Sequence, residues 1–419
     1  MRLGPQVQEV LRSTLIARRD VKPTPSILVP GFKAAGVHCG VKEAGLDLAL
    51  IASDAPARAA GVFTQSTVVG APVEISRDRI RAGSARAVVI NSGVSNVAMG
   101  AQGLRDAAEM AQRAGSAIGV PAEQVLVAST GVIGSRLPMP RIRQGIRAAA
   151  AGLAESGLRD AAEAIRTTDT FAKTAVATAD VDSRAVTVAG IAKGSGMIEP
   201  NMATMLSFLV TDAAVAAPAL DRVLRDATNA SFNRLSVDGE TSTSDMVLLF
   251  ANGVAGNREL RGPRSRGAAA FAAAVEKVAV ALARDIARDG EGATKLVTVR
   301  VEGAASGADA ERAARRIANS MLVKTALFGG DANWGRILQT VGAAQVRLKL
   351  DSAVVRLGGV TVFRAGASTG PAARRKAAGK LQAPEVEVAV DLAAGRASAH
   401  IWTCDLGYDY VKINAEYTT

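Results

Sequence analysis

The stretch KGSGMIEPNMATMLSFLVTD, residues 193–212, decides how the chain is read. It passes from a glycine-rich loop through one proline into an apolar, β-branched run. Gly194, Ser195 and Gly196 supply permissive backbone angles, while Pro200 fixes its own φ and blocks a helix. MLSFLV then reads as a buried strand of about six residues that anchors what precedes it. Such a loop can hold one peptide bond in a strained turn, and the bond singled out is Ala203–Thr204. Attack of the Thr204 hydroxyl on the Ala203 carbonyl gives an ester; water opens it, and Thr204 becomes a new N-terminus. Its α-amino group, with a reference pKa of about 7.7–8.0, would take the hydroxyl proton near neutral pH. The plainer alternative is a loop followed by a strand, which residue types alone leave open.

The remainder of the 419-residue chain offers few other nucleophile systems. It has two histidines, His38 and His400, and two cysteines, Cys39 and Cys404. A Ser/His/Asp or Cys/His nucleophile would need one of these few bases, whereas an N-terminal threonine needs none. The length suggests about two or three subdomains. Hydrophobic residues make up 48% and aromatics 3%, so the interior is expected to be built from small aliphatic side chains. Two cysteines make no disulfide framework, and a reducing compartment, the cytoplasm, fits them. No apolar run reaches the length of about 18 residues that crosses a bilayer. The nearest, at 268–283, is broken by Glu276 and Lys277. The arginine-rich N-terminus lacks a clean apolar core and reads as a partly helical lead-in, not a secretory signal or transit peptide. The net charge of +11 is scattered, with clusters at Arg258–Arg266 and Arg374–Lys380. Neither cluster has interleaved aromatics for bases to stack on, so solvated loops and attraction for anionic substrates are favoured over nucleic acid.

Around the central stretch the pattern is α+β. LDLALIA and AAGVFT read as strands, and His38 and Cys39, adjacent on a strand, point to opposite faces and make a poor metal pair. AVVI is expected to run into a turn at Asn91–Gly93, and QVLVAS into a second turn with Thr130 and Gly131 at its apex. Two successive backbone N–H groups, or a hydroxyl and an N–H, aimed out of such a turn make a donor pair for a developing oxyanion. Residues 103–118 read as a helix closing near Gly119 and residues 141–165 as a helix or helix pair. Thr167, Thr168 and Asp169 follow as a cap-like cluster. AVATADV and AVTVAGIAK form a hairpin that delivers the chain to the loop, with Lys193 at its mouth as a point charge for a carboxylate. Further on come a helix near 218–230 and a polar turn holding Asp238, Glu240 and Asp245, whose spacing is not that of a calcium loop. The strand MVLLFA and a helix over 265–288 follow. In GEGATK, Gly290 and Gly292 let the backbone present Glu291 inward to an ammonium group. Residues 308–342 read as a helix, an Asn-Ser break, a strand and the turn GGDANWGR, with Trp334 as a buried corner. The chain ends as a strand hairpin and a polar tail bearing Tyr408, Tyr410 and Tyr417.

KGSGMIEPNMATML resembles the cleavage motif of the ornithine acetyltransferase family, the self-processing glutamate N-acetyltransferases of the arginine pathway. PGF, DLALI, SD, GVFT, Thr130-Gly131, GEGATK and DANWGR occur in the family's order, so the resemblance runs from Pro30 to Thr419. It implies an α+β layered sandwich of mixed sheets and helices. It also implies a cut into an α chain, 1–203, carrying the oxyanion hole and cleavage loop, and a β chain, 204–419, beginning at the nucleophile Thr204. The two chains are expected to assemble as an α2β2 heterotetramer. The implied reaction is ping-pong: the acetyl group of N-acetylornithine passes to Thr204 and then to glutamate, with Thr130 and Gly131 holding the oxyanion. Thr167, Lys193, Glu291, Asn414 and the terminal Thr419 are the implied substrate-binding residues. No metal or organic cofactor is implied, acetyl-CoA is left open as a co-substrate, and neither nucleic acid nor membrane is a partner.

Where the family typically has a second Asn and an Ala, this chain has Val94 and Ser95, and Val97, Ala98 and Met99 replace a small polar cluster. That loop is the support for one rival, a self-cleaving relative with another acyl acceptor or amidohydrolase activity. A nucleotide-binding enzyme built on KGSG is weaker, because the third glycine is missing and a strand stands where a helix should start. A basic nucleic-acid-binding protein is the third rival.

Overall fold

The computed structural model describes residues 27–199 and 205–416; Pro200, Ala203, Thr204, Tyr417 and Thr419 lie outside the described residues. The chain divides into two compact units, the first comprising the chain up to Asn233 with Thr241–Leu282, the second Arg234–Glu240 with Ala283–Glu416. The expected cut at 203/204 therefore falls inside the first unit.

In the first unit the order is β1 (Phe32–Val37), β2 (Leu48–Ser53), β3 (Arg58–Phe63), α1 (Ala71–Arg79), β4 (Ala87–Val94), α2 (Gly100–Ile118), β5 (Val125–Val132), α3 (Met139–Ala151), α4 (Leu158–Ala164), β6 (Lys173–Val181), β7 (Arg184–Lys193), β8 (Leu206–Thr211), α5 (Ala217–Ala230), β9 (Met246–Ala251) and most of α6 (Ala268–Arg288). The strands form a four-stranded sheet, β1-β2-β4-β5, and a five-stranded sheet, β3-β9-β8-β7-β6. Alternation along each strand builds the layers. Ile51, Val88, Ile90 and Leu126 of the first sheet meet Ile191, Phe208, Val210 and Leu248 of the second. On the far face of the first sheet, Leu50, Val89 and Val127 pack with Met110 of α2 and with Ile142 and Ile146 of α3. On the outer face of the second, a Cβ added to Gly190 would touch Val278 and Leu282 of α6 at 3.0 Å, so that helix lies close on β7. Helix, sheet, sheet and helix are stacked as the expected layered α+β sandwich.

β8 is buried throughout and lies between β7, antiparallel, and β9, parallel, with Leu206 opposite both Lys193 and Met246. The β6–β7 hairpin turns through Asp182 and Ser183 at φ 54° and 64°, the left-handed pair a two-residue hairpin loop requires. Two local expectations are corrected. The turns expected at Asn91–Gly93 and at Thr130–Gly131 are strand, with β4 and β5 in parallel register through Gly93 opposite Gly131. His38 and Cys39 lie past the end of β1, where Asp47 folds the chain back by accepting from the N–H groups of Cys39 at 2.6 Å and of Gly40 and Lys42 at 3.0 Å.

The second unit carries β10 (Leu296–Ala304), α7 (Gly307–Ala318), α8 (Met321–Phe328), α9 (Trp334–Ala343), β11 (Val354–Leu357), β12 (Val360–Arg364), β13 (Ala367–Ser368), α10 (Pro371–Lys380), β14 (Glu385–Asp391), β15 (Ala397–Cys404) and α11 (Tyr408–Glu416). Its sheet runs β13-β12-β11-β14-β10-β15. Val297, Val299, Val301 and Ile401 pack against Ala313, Ala314 and Ile317 of α7 and against Ile337 and Val341 of α9. Trp334 stands at the start of α9, its ring 5.1 Å from that of Phe363. Three expectations change here. MLVKTALF is a helix, not a strand, because Ser320 caps it by accepting from Val323 N–H at 3.3 Å and Met, Leu, Lys and Ala favour a helix. β14 and β15 are not a hairpin, since β10 lies between them, parallel to one and antiparallel to the other. The tail is helical over Tyr408–Glu416. No helix among the described residues is long and apolar enough to cross a membrane.

Candidate active site

Lys193 ends β7 and is only 9% exposed, so it is not the solvated strand-end lysine its position would suggest. Its Nζ donates to Thr167 Oγ1 at 2.8 Å and to Thr130 Oγ1 at 3.3 Å. An ammonium group has only donors, so both hydroxyls accept from it and keep their own protons for another acceptor. Gly131 has a φ of 127° and packs so tightly on β4 that a Cβ would fall 2.3 Å from the Gly93 carbonyl carbon. Only glycine continues the strand there.

Asp169 holds this corner together. Oδ1 accepts from Lys173 Nζ at 2.7 Å and from Gly194 N–H at 2.6 Å, and Oδ2 accepts from Thr167 N–H at 3.0 Å. Burial alone would raise its pKa, but the charges of Lys173 and Lys193 and these hydrogen bonds hold it well below the usual carboxylate range. One carboxylate thus fixes both Thr167 and the first residue of the loop. Thr168 and the buried Ser195 share a hydroxyl–hydroxyl bond of 2.7 Å. Beyond it Met197 adopts φ 57°, uncommon for a residue with a Cβ, Ile198 is buried, and the Glu199 carbonyl accepts from Thr241 Oγ1 at 3.2 Å. On the other side of the undescribed residues, the Met205 carbonyl accepts from Met246 N–H at 3.1 Å.

Two further groups bear on Lys193. Lys42 Nζ donates to the Arg166 carbonyl at 3.0 Å, and its stem runs so close over Gly93 that a Cβ there would meet Lys42 Cγ at 3.1 Å. Burial pushes its pKa down to about 8; Arg166 and Lys193 act in the same direction, Asp47 and Asp169 against it. Asp245, just before β9, is 2% exposed, and its Oδ2 has no hydrogen-bond partner among the described residues. Burial pushes this carboxyl well above the usual range, against the pull of the Ser242 hydroxyl, the Lys193 charge and the Met205 backbone.

In the second unit the GEGATK turn presents Glu291, buried, to Asn414 of α11, whose Nδ2 donates to Oε2 at 2.8 Å. The same Nδ2 donates to the Tyr410 carbonyl at 3.0 Å. Gly292, at φ 67°, lets α11 approach: a Cβ would stand 2.5 Å from Tyr410 N. Burial, with the charges of Asp238 and Glu291, raises the Tyr410 phenol, which donates to Asp238 at 3.4 Å.

Thr130, Gly131, Thr167 and Lys193 are therefore assembled within one unit, and Glu291 with Asn414 within the other. Ala203, Thr204 and Thr419 lie outside the described residues. Among the described residues no group of His, Cys, Asp and Glu is arranged to hold a metal ion. Sequence reasoning passed over Lys42, which nothing in its spacing marks. It read Asp169 as a cap and Asp245 as loop chemistry, because neither the long-range partners of the first nor the isolation of the second is visible in residue order.

A sequence profile of the ArgJ family matches residues 33–419. The chain is 52% identical to the arginine biosynthesis bifunctional protein ArgJ of Symbiobacterium thermophilum, over 93% of this chain and 97% of that one. It is 50% identical to the protein of the same name from Geobacter sulfurreducens, over 93% of this chain and 100% of that one. Among solved structures, the ornithine acetyltransferase of Mycobacterium tuberculosis complexed with ornithine is 35% identical, with a TM-score of 0.39 over 43% of this chain and 98% of that one.

Proposed function

The chain belongs to the ArgJ family, the bifunctional enzymes of arginine biosynthesis, and on that premise we propose that it moves the acetyl group of N-acetylornithine to glutamate through an ester on Thr204. Cleavage at Ala203–Thr204 frees the nucleophile and leaves an α chain, 1–203, and a β chain, 204–419. The Thr204 amine takes the Oγ proton as Oγ attacks the acetyl carbonyl. The Thr130 hydroxyl and Gly131 hold the oxyanion. The C–N bond to ornithine breaks, the proton passes to the leaving amine, and the glutamate amine then attacks the ester by the reverse steps. Lys193 and Thr167 take a substrate carboxylate; Glu291, oriented by Asn414, takes an ammonium group, and the terminal Thr419 is a further substrate-binding residue. No metal or organic cofactor is invoked in this scheme.

The observation that carries this reading is the double hydrogen bond of Lys193. It leaves two oriented hydroxyl protons beside a buried cation, at the end of the strand that leads into the cleavage loop. The assembly is supported by the sheet: β8, the first strand after the cut, pairs with β7 of the α chain from Leu206–Lys193 to Thr211–Val188, so the cut chains stay joined edge to edge. We extend this to an α2β2 enzyme of the cytoplasm.

Intact mass under denaturing conditions, for the wild type and a Thr204→Ala variant, tests the nucleophile. Two fragments from the wild type, the second beginning at Thr204, and one whole chain from the variant are expected. A wild-type chain that stays whole while active overturns the reading. Release of ornithine from N-acetylornithine without glutamate separates a hydrolase from a transferase.

A further inference from the structure

Asp245 has the surroundings of a reacting acid, not of a structural one. Its side chain is buried and its Oδ2 makes no hydrogen bond among the described residues. A buried polar atom without a partner is rare in a folded protein and calls for a specific explanation. Desolvation outweighs the Ser242 hydroxyl, the Lys193 charge and the Met205 backbone, and keeps the carboxyl neutral well above its ordinary range.

Its place in the fold supplies the explanation. β8 and β9 run parallel with Leu206 opposite Met246. The residues one step earlier are Met205 and Asp245, and the Met205 carbonyl accepts from Met246 N–H at 3.1 Å. Met205 follows Thr204 by a single peptide bond. The neutral carboxyl thus stands at the start of the strand pair into which the cleaved bond leads. The Asp245 carbonyl, accepting from Thr64 N–H at 3.0 Å, fixes its backbone.

We propose that Asp245 is the proton-transfer residue of self-cleavage, carrying the proton lost by Thr204 Oγ to the departing amide nitrogen. This rests on the reading of Thr204 as the nucleophile. As the bond from Oγ to the Ala203 carbonyl carbon forms, the Asp245 acid gives its proton to the Thr204 nitrogen. The C–N bond breaks with its electron pair on nitrogen, and the carboxylate takes the Oγ proton. Asp245 ends as it began, Thr204 has gained an amine, and the ester awaits water.

The test follows full-length chain made in a cell-free pulse, by intact mass at intervals, for the wild type, Thr204→Ala, Asp245→Asn, Asp245→Glu and Asp245→Gln. Thermal melting reports folding. An amide in place of a neutral buried acid keeps shape and charge but cannot exchange the proton. We expect Asp245→Asn to melt like Thr204→Ala and to be cut about 10²-fold more slowly than the wild type, a typical loss for general acid–base catalysis. Asp245→Glu is expected to be cut faster than Asp245→Gln, its matched amide, and that pair decides if Asp245→Asn does not fold. Asp245→Asn cut at the wild-type rate, or Glu and Gln variants cut equally fast, overturns the proposal while Thr204 stands. A wild type that stays whole, or a Thr204→Ala chain that is cut, overturns both.

Discussion

Lys193 donates a 2.8 Å hydrogen bond to the hydroxyl of Thr167, tying the end of β7 to the segment that follows α4. Replacing the lysine by methionine keeps much of the stem and removes the charge and both hydroxyl contacts. A hydrogen bond to a charged group contributes about 1.5–3 kcal/mol, so Lys193→Met is expected to lower kcat/KM for N-acetylornithine by about 10–10²-fold, mainly through KM. Thr167→Val is expected to cost less, and the double variant less than the two combined, because the pair acts as one contact. Steady-state acetyl transfer to glutamate measures all three; additive losses would mean that the two side chains serve different groups.

Asp169 and Lys173 form a fully buried pair at 2.7 Å. Asp169 titrates lower in the folded chain than the unfolded value of about 3.9, so its contribution to stability is present above about pH 4 and lost as pH falls through the folded value. The melting temperature of the wild type is therefore expected to drop on acidification below about pH 4. Asp169→Asn is expected to lack this part of the acid limb and, by taking the carboxylate away from the buried Lys173, to be about 3–5 kcal/mol less stable at neutral pH. Melting curves between pH 2 and 7 decide it, an acid limb of wild-type depth in the variant being the contrary result.

For Lys42 the slope has the same sign but another origin, a burial that works against the charged form. Burial lowers its pKa in the folded chain to about 8, from 10.5. Between those values the unfolded chain binds a proton that the folded chain does not, so this group makes stability rise with pH across the window. Below it the lysine is charged in both states and burial works against folding. Lys42→Met is expected to flatten the rise between pH 8 and 10, measured by urea midpoints. A rise as steep in the variant would assign it to another group.

The layers were legible in the sequence because β2, β8 and β9 are short apolar runs, while the Asp182–Arg184 turn marks the β6–β7 hairpin and Gly119 the end of α2. Reading failed where a distant partner overrides local pattern. MLVKTALF is as apolar and short as a buried strand, and the Ser320 cap together with its Met, Leu, Lys and Ala residues makes it a helix. EVEVAVD and ASAHIWTC look like a hairpin, yet β10, about a hundred residues earlier, separates them. Gly93 and Gly131 suggest turns until Gly131 is seen to make room for β4, and Gly93 for Val41 and Lys42. The Thr130, Gly131, Thr167, Lys193 and Glu291 positions came from motif order, whereas Asp169, which fixes both Thr167 and Gly194, is identified only by its contacts.

The oxyanion role proposed for Thr130 gives the last prediction. Its hydroxyl accepts from Lys193 at 3.3 Å, so the proton it carries is free to point at a developing negative charge, in surroundings where water does not compete. Thr130→Val preserves shape and removes only that donor. Because the charge exists in the transition state and not in the bound substrate, the loss belongs in kcat, about 10²–10³-fold, with KM changed little. Thr130→Ser restores the hydroxyl and is expected to recover most of the rate. The neighbouring Gly131 cannot be tested in the same way: an alanine there combines a φ of 127° with a 2.3 Å approach to Gly93, so it is expected to disturb β4 and β5 before it reports on chemistry. A Thr130→Val enzyme that loses KM instead of kcat would make Thr130 a substrate-binding residue and leave the oxyanion to backbone donors.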